Sequence, residues 1–532
     1  MSLLRNISTI AGFTVISRIF GFVRDMLLAR VLGAGAAADA FQLAFILPNT
    51  FRRLFAEGAF SVAFVPMYSR KLTEECGEES AARFADDILS VFVWILLAFS
   101  ALAMIVMPAI VYALASEYQN VEGKFELAVF LSRVTFPYLF FISLVAMLSG
   151  LLNARSRFAP GAIAPKLFNL TLIGGIILGY YLRGDSGDDR AVVYALSAAV
   201  SFSGLVQFLY LHHAVRRAGL RLRVKRPRLT PEVKRLGVII LPATFGAGIY
   251  QISQFVDTFF ATSLPQGSLT LLKMADRLNQ MPLGIVGIAL GTAILPMLSR
   301  HIQAGDGKQA QALQENAFEM ATLLTFPAAA ALAVCAPAFV TAFFVGGKFT
   351  EADGAIMANI VMALVAGLPA YVIVKILNPG FFARSDTRTP VFTALAALIF
   401  NILLNIYVVM IAGFGIVGLA AATAASATLN CILLYINLHR RGWFHFTPRL
   451  GMKLLRQIAA VAVMTAGLFW IMPIAAPYYS GSAMEKAVSL AVIVAGGGLV
   501  YAVAGWLTGA IDHTHIQALR RSRGANAPAT DF

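Results

Sequence analysis

Residues 17–55 read SRIFGFVRDMLLARVLGAGAAADAFQLAFILPNTFRRLF. Two long apolar runs are joined by a short Gly/Ala turn, and Arg18, Arg24 and Arg52 stand inside the runs. A charge at the centre of a bilayer costs about 2.5–3.5 kcal/mol on insertion scales, and more on an isolated helix. Such residues persist where they face a water-filled cavity or a charged ligand. A cluster of cations at membrane depth therefore points to a path for something anionic. Asp25 is placed to neutralise a nearby arginine. Arg24 has a second reading, in which it reaches outward to headgroups by snorkelling.

Composition sets the same frame. The chain has 532 residues, of which 59% are hydrophobic and 13% charged, with mean hydropathy +0.76. Soluble domains carry about 25% charged residues, so this chain cannot cover a globule with polar surface. The net charge of +15 raises nucleic acid as a partner, but the basic residues are confined to short loops between apolar segments. That is the pattern of the positive-inside rule, and no nucleic-acid partner is expected. Cys76, Cys335 and Cys431 are far apart and form no metal or disulfide pattern. Arg18, Arg24 and Asp25 interrupt the first apolar run, unlike the uncharged core of a signal peptide, so it reads as a retained spanning helix.

A span needs roughly 20 mostly apolar residues, and about fourteen segments qualify. They lie near 7–31, 36–66, 86–115, 127–152, 160–182, 191–215, 234–262, 267–298, 314–344, 354–378, 389–412, 416–438, 453–475 and 486–509. The loops between them alternate in charge. Arg70 and Lys71 face one side, and Glu117, Glu122 and Glu126, with only Lys124, face the other. The richest basic loop runs from Arg216 to Arg235, and the same side takes Arg155, Arg300, Arg384, Arg440 and Arg520. That side is cytoplasmic, which puts both termini inside. The tail, 511–532, is short and polar.

A weak internal repeat runs through the chain. Pro66-Met67-Tyr68-Ser69-Arg70 returns as Pro296-Met297-Leu298-Ser299-Arg300, at an offset of 230. Gly150 with Ala154-Arg155-Ser156 returns as Gly380 with Ala383-Arg384-Ser385, and Phe168-Asn169 returns near that offset as Phe400-Asn401. Asp25 and Asp257 are similarly spaced. The offset covers about six helices by span length, so the copies are parallel, an arrangement that places a substrate path between two lobes. The expected architecture is an all-α integral membrane protein with an N-terminal lobe at 1–225, a C-terminal lobe at 226–448, and a final helix pair with its tail at 449–532.

At 1.5 Å per residue, Arg18 lies roughly 17 Å into the first helix and Arg52 roughly 24 Å down the second. Asp39 falls near the outer end of the second helix. Lys273, Asp276 and Arg277 lie about 9–15 Å into the eighth. Arg18, Arg52 and Arg277 thus share the middle zone. Each charge also has a structural reading. Arg53 and Glu57 are four apart and can pair along one helix face. Asp276 can serve Lys273. Arg277 can bridge to Asp39 or Glu57. Arg18 and Arg24 are about 120° apart on a straight helix, and Gly21 between them permits a bend. Arginine grips phosphate through two parallel hydrogen bonds, which favours a phosphate or diphosphate ligand.

Ser17-Arg18-Ile19-Phe20-Gly21-Phe22-Val23-Arg24-Asp25, Gly33-Ala34-Gly35, Asp39-Ala40-Phe41, Pro48-Asn49 and Arg52-Arg53-Leu54-Phe55-Ala56-Glu57-Gly58-Ala59-Phe60 closely resemble the N-terminal signature of the MurJ (MviN) family. These are the lipid II flippases of bacterial peptidoglycan synthesis. Ala275-Asp276-Arg277-Leu278, Pro282 and Gly287-Ile288-Ala289-Leu290-Gly291-Thr292 resemble its second signature. The resemblance covers the chain in order and helix number. It implies the multidrug/oligosaccharidyl-lipid/polysaccharide (MOP) superfamily, two six-helix lobes around a cationic cavity, and a last helix pair that grooves the polyprenyl tail. It matches the family's cavity arginines to Arg18, Arg24, Arg52 and Arg277. Its other important positions match Ser17, Asp39, Asn49, Arg53 and Glu57. It implies lipid II and membrane lipids as partners, contact with cell-wall synthesis machinery, and the bacterial inner membrane as location. Some relatives bind sodium in the C-terminal lobe. Asp257 is a candidate for a cation site, and the coupling ion, sodium or proton, is left open.

Other functions are weighed against this one. A related exporter of another lipid-linked oligosaccharide fits the same cations. A multidrug exporter of cations calls for acidic cavity residues. A membrane enzyme acting on polyprenyl phosphates calls for clustered Asp or His, and the histidines gather in no core, so no enzyme and no cofactor are expected.

Overall fold

The computed structural model describes residues 3–53, 60–74, 77–479 and 481–512. Regular structure among them is helical, apart from one bridge pairing Gly346 with Phe349. The first helices are α1 (Leu3–Leu32), α2 (Ala36–Arg52), α3 (Phe60–Leu72), α4 (Gly77–Ile105) and α5 (Met107–Ala115). Next come α6 (Lys124–Thr135), α7 (Pro137–Ala154), α8 (Ala159–Arg183), α9 (Asp189–Arg217) and α10 (Pro231–Thr262). Then follow α11 (Ser268–Pro282), α12 (Ile288–Gln303), α13 (Gly307–Val334), α14 (Ala336–Phe343), α15 (Glu351–Ala366) and α16 (Leu368–Phe382). The last four are α17 (Arg388–Asn405), α18 (Gly415–Arg440), α19 (Pro448–Tyr479) and α20 (Ala483–Thr508). A π-helical turn, Leu283–Gly287, joins α11 to α12.

Among the described residues, ten helical segments are long and apolar enough to cross a membrane. Two of them, Lys124–Ala154 and Glu351–Phe382, are helix pairs that run on through a break, at Pro137 and Pro369. The other four sequence segments form α1, α2 with α3, α10, and α11 with α12. The tail from 513 onward lies outside the described residues.

Proline inside a helix removes the donor for the carbonyl four residues back. In a bilayer that carbonyl must find another partner. Pro48 in α2 frees Ala44, and Thr135 Oγ1 of α6 donates to the Ala44 oxygen at 2.9 Å. Pro327 in α13 frees Leu323, and Tyr501 Oη of α20 donates to the Leu323 oxygen at 2.8 Å. In both places a sequence break becomes an interhelical hydrogen bond.

The repeat reappears as local geometry. Ser156 and Ser385 are the two non-glycine residues with positive φ among those described, at 58° and 61°. After α7, Arg157 N–H donates to Leu152 O at 2.9 Å; after α16, Asp386 N–H donates to Phe381 O at 3.0 Å. The same left-handed turn closes both helices.

The chain divides into two compact units, Met1–Lys273 with Gly346–Thr350, and Met274–Val345 with Glu351–Phe532. The division falls inside α11, downstream of the lobe boundary placed at 225/226. In the first unit, Phe64 stacks with Phe60, Tyr68 and Phe84. In the second, α19 and α20 pack along each other and against α13. Met464, Leu468, Ile493 and Tyr501 meet Leu323 and Ala338 in that core.

Candidate functional site

Helix α1 is continuous through Gly21, so Arg18 and Arg24 leave it on different sides and meet different surroundings. Arg24 and Asp25 are each 7% exposed. Arg24 Nε and Nη2 donate to Asp25 Oδ1 at 2.9 and 2.7 Å, and Nη1 donates to Asn169 Oδ1 at 3.0 Å. Its guanidinium lies 5.7 Å from the Phe168 ring centroid. Asn169 Nδ2 in turn donates to the Ser17 carbonyl at 3.0 Å. Asp25 therefore neutralises an arginine, as its position in sequence suggests. The snorkelling reading of Arg24 is corrected: the side chain is buried against α8 because Asp25 and Asn169 offer it acceptors there.

Arg18 is exposed and has no hydrogen-bond or ion-pair partner among the described residues. Around it on α1, Ile16, Ile19 and Phe20 are exposed as well. Arg52 is half-buried, and its Nε and Nη2 donate to Asn49 Oδ1 at 3.3 and 3.2 Å. Arg53 is half-buried at the end of α2. Glu57, its expected partner, lies outside the described residues.

Asp39 is 2% exposed, and both its carboxylate oxygens are engaged. Lys124 Nζ donates to its Oδ2 at 3.0 Å, and the Gly267 N–H donates to the same oxygen at 2.8 Å. Thr270 donates to Oδ1 through N–H at 3.1 Å and through Oγ1 at 2.8 Å. The carboxylate thus caps the N-terminus of α11, where exposed amides and the helix dipole favour a negative charge. Lys124 Nζ also lies 3.9 Å from the Tyr118 ring centroid. Lys124 is buried rather than a loop charge, because Asp39 and the ring together replace water. Both Asp39 oxygens are engaged by these groups, so the alternative of an Asp39–Arg277 bridge finds no support.

A strap adds to this end of the first unit. Gly346–Thr350 belongs to the first unit although its chain neighbours do not. The Lys348 N–H donates to the Arg30 carbonyl at 2.8 Å, and Lys348 Nζ donates to Asp189 Oδ1 at 2.7 Å. Gly347 has φ +60°, and a Cβ there would lie 2.2 Å from the Arg30 oxygen. Only glycine fits that approach.

In the second unit, Asp276 and Arg277 are half-buried on α11. Asp276 accepts from Gln280 one turn on, and Lys273 donates to Gln254 Oε1 at 3.3 Å. The hydrogen bonds of Asp276 and Lys273 thus run to different glutamine partners, not to each other. Asp257 is buried in α10, at 5% exposure. Among the described residues no group of three or more His, Cys, Asp or Glu side chains is placed to hold a metal ion. An apolar cavity of about 260 Å³ opens between α13, α14, α19 and α20, lined by Pro327, Phe339, Leu468, Ile493 and Gly497 among others.

Sequence reasoning passed over Asn169, Lys124 and Lys348. The repeated Phe-Asn pair marked the position of Asn169 without its role. Lys124 stood out as the lone cation of an acidic loop. Nothing local marked Lys348.

The comparisons with known proteins agree with one another. The family model described as "Lipid II flippase MurJ" matches residues 28–488. A Rhizobium meliloti protein described as "Probable lipid II flippase MurJ" is 39% identical over 542 residues, covering 100% of this chain and 98% of the relative. A Burkholderia cenocepacia "Lipid II flippase MurJ" is 35% identical, covering 88% and 90%. Among solved structures, "Lipid II flippase MurJ, inward closed conformation" aligns with TM-score 0.75 at 23% identity, covering 94% of this chain and 98% of that one. An inward-facing MATE transporter of the MOP superfamily aligns with TM-score 0.67 at 14% identity, covering 80% and 94%. At those identities the likeness is one of fold. Taken with the ten apolar spans, the family match and the relatives that run the length of the chain show that it belongs to the MurJ family, as a multi-pass transporter of the bacterial inner membrane and not an enzyme.

Proposed function

We propose that the protein is a lipid II flippase. It moves the undecaprenyl-diphosphate-linked disaccharide-pentapeptide from the cytoplasmic to the periplasmic leaflet by alternating access. The observation that carries this reading is Arg18: a cation in the middle of an apolar helix, exposed, with no protein partner among the described residues. A permanent charge left uncompensated at that depth needs a counter-charge from a ligand. Arg52 and Arg277 join it in holding the diphosphate, while Arg24, paired with Asp25 and bonded to Asn169, braces the same helix against α8. The relatives named as lipid II flippases give the ligand its identity. In this reading α1, α2 with α3, α10, and α11 with α12 complete fourteen spans, in two six-helix lobes plus the α19–α20 pair. Both termini are cytoplasmic, and the apolar cavity beside α19 and α20 accepts part of the polyprenyl tail. Asp257 is the proposed seat of a coupling cation. Cell-wall synthesis enzymes take up the product.

The fold likeness to MATE transporters favours one alternative, an exporter of another substrate. A cationic drug does not suit an unpaired arginine, so a different lipid-linked oligosaccharide is the form that alternative takes. In cells depleted of their own flippase, Arg18→Ala and Arg277→Ala should reach the membrane at normal levels and fail to bring lipid II to the outer leaflet. Arg277→Lys should rescue poorly, because lysine keeps the charge and loses the paired grip. Normal growth with either alanine variant at normal abundance would defeat the ligand assignment. Transport of another lipid-linked sugar in preference to lipid II would favour the alternative.

A further inference from the structure

Lys375 is the single charged residue between Gly354 and Phe382 in the apolar span Glu351–Phe382. Its side chain is exposed, while its Cβ and Cγ lie close to the backbone of the π-helical turn and α12. It has no hydrogen-bond or ion-pair partner among the described residues. Its helix, α16, packs against the π-helical turn and α12, both within the second unit. That contact is made on the glycines of the second signature. A Cβ built on Gly287 would lie 3.8 Å from Lys375 Cγ, and one built on Gly291 would lie 3.3 Å from Lys375 Cβ and 3.1 Å from its carbonyl oxygen. Pro379 leaves that carbonyl without its helical donor. On the same face, one turn along, the buried Asn378 Oδ1 has no hydrogen-bond partner. The stem of Lys375 is thus seated beside small residues while its ammonium group is left unpaired.

We propose that Lys375 is a further substrate-binding cation, which captures the diphosphate of the incoming lipid on the cytoplasmic side of Arg277. The proposal rests on the flippase reading above. Gly287 and Gly291 lie ten to fourteen residues beyond Arg277 on the eighth span, roughly 15–21 Å along the helix axis at full helical rise. The second unit therefore carries two cations at two depths. Lysine suits the entry step of such a ladder. It is a hydrated point charge on a flexible stem, without the two-pronged grip of arginine. It can attract a diphosphate and hand it on. Snorkelling to the inner headgroups is the competing account. It predicts that any residue with a similar apolar stem serves as well.

The test uses the purified full-length protein and a short-chain polyprenyl diphosphate without sugars, with intact lipid II in a parallel arm. Lys375→Met keeps the stem and removes the charge; Lys375→Ala removes both. Both should weaken diphosphate binding about 5–10-fold at low salt, with the loss shrinking as salt rises. Lys375→Arg should bind within about 2-fold of the parent and release more slowly. Arg277→Ala is the reference for the site itself. If Arg277→Ala loses binding and Lys375→Met does not, the role of Lys375 is overturned and the flippase site stands. If neither loses binding, the diphosphate reading fails for both. If Lys375→Met weakens binding of lipid II alone, the counter-charge is a carboxylate of the headgroup peptide, and the diphosphate assignment is overturned.

Discussion

Asp39 and Arg18 lie twenty-one positions apart in one signature, and the protein treats them in opposite ways. Asp39 receives four hydrogen bonds, from Lys124, Gly267 and Thr270. Arg18 receives no partner among the described residues. Both are charges that a bilayer disfavours. At the start of α11 the Asp39 carboxylate is spent on holding α2, α6 and α11 together. Within α1 the charge of Arg18 is left unspent among the described residues. The contrast separates two kinds of charge on these helices, those that assemble the fold and those left without a partner among the described residues.

Asp39→Ala tests the assembling kind and should have the largest effect on stability. It strands Lys124, which is 4% exposed. Removing one member of a buried pair costs about 3–5 kcal/mol. The variant should be scarce in membranes and melt early, and Asp39→Ala with Lys124→Met should recover part of the loss. An Asp39→Ala protein that is abundant and heat-stable but inactive would break the comparison. Asp39 would then be a gate residue rather than a staple.

Gly347→Val sharpens the comparison at the strap. The new Cβ would meet the Arg30 carbonyl, and valine resists φ +60°. The strap should lift while the rest of the first unit stays folded. A cysteine at Ala34 should then react faster with a membrane-impermeant thiol reagent added from outside. Unchanged labelling would mean that the strap does not cover this turn. Lys348→Ala should do much less, since its pairing with Asp189 is half-exposed and worth about 0–1 kcal/mol.

Much of this was legible before the structure. The order of the helices follows from apolar run length, and the unusual status of Arg18 from its depth in one run. Asp25 announced its pairing because it sits next to an arginine. What stayed hidden depends on distances that only the folded chain sets. Lys124 reads as a loop charge until Asp39, eighty-five positions away, is beside it. Arg24 reads as a ligand residue or a snorkelling one until Asn169 arrives from α8. Pro48 and Pro327 can be seen to free Ala44 and Leu323, but no local rule names Thr135 and Tyr501 as the groups that answer. Lys375 reads as one lysine in an apolar run until its helix is seen to rest on Gly287 and Gly291.

Those two hydroxyls extend the comparison to uncharged groups. Tyr501→Phe should leave the Leu323 carbonyl unsatisfied in a buried core, and Thr135→Val should do the same to Ala44. Each should cost about 1–3 kcal/mol, read as a lower melting temperature with transport largely kept. A loss of transport at normal stability would place the hydroxyl with the ligand-facing groups instead.

The smallest effect is expected at the turn after α16, on the side that the charge pattern marks as cytoplasmic. Partial burial works to raise the Asp386 carboxyl, but the Thr389 hydroxyl and N–H and the Arg441 guanidinium together outweigh it and hold the group down at about 2. The first copy of the turn has Arg157 at the matching place, so this acid belongs to the second copy alone. Its folded pKa lies below the unfolded value of 3.8. Its stabilisation is therefore complete above that value and is lost as pH falls through about 2. Compared with the parent, Asp386→Asn should melt slightly earlier at pH 6. The gap should close as the pH is lowered from about 4 to 2. A gap that persists at pH 2 would mean that asparagine disturbs the turn by its shape. The carboxylate would then be part of the cap for α17 rather than a charge held by Arg441.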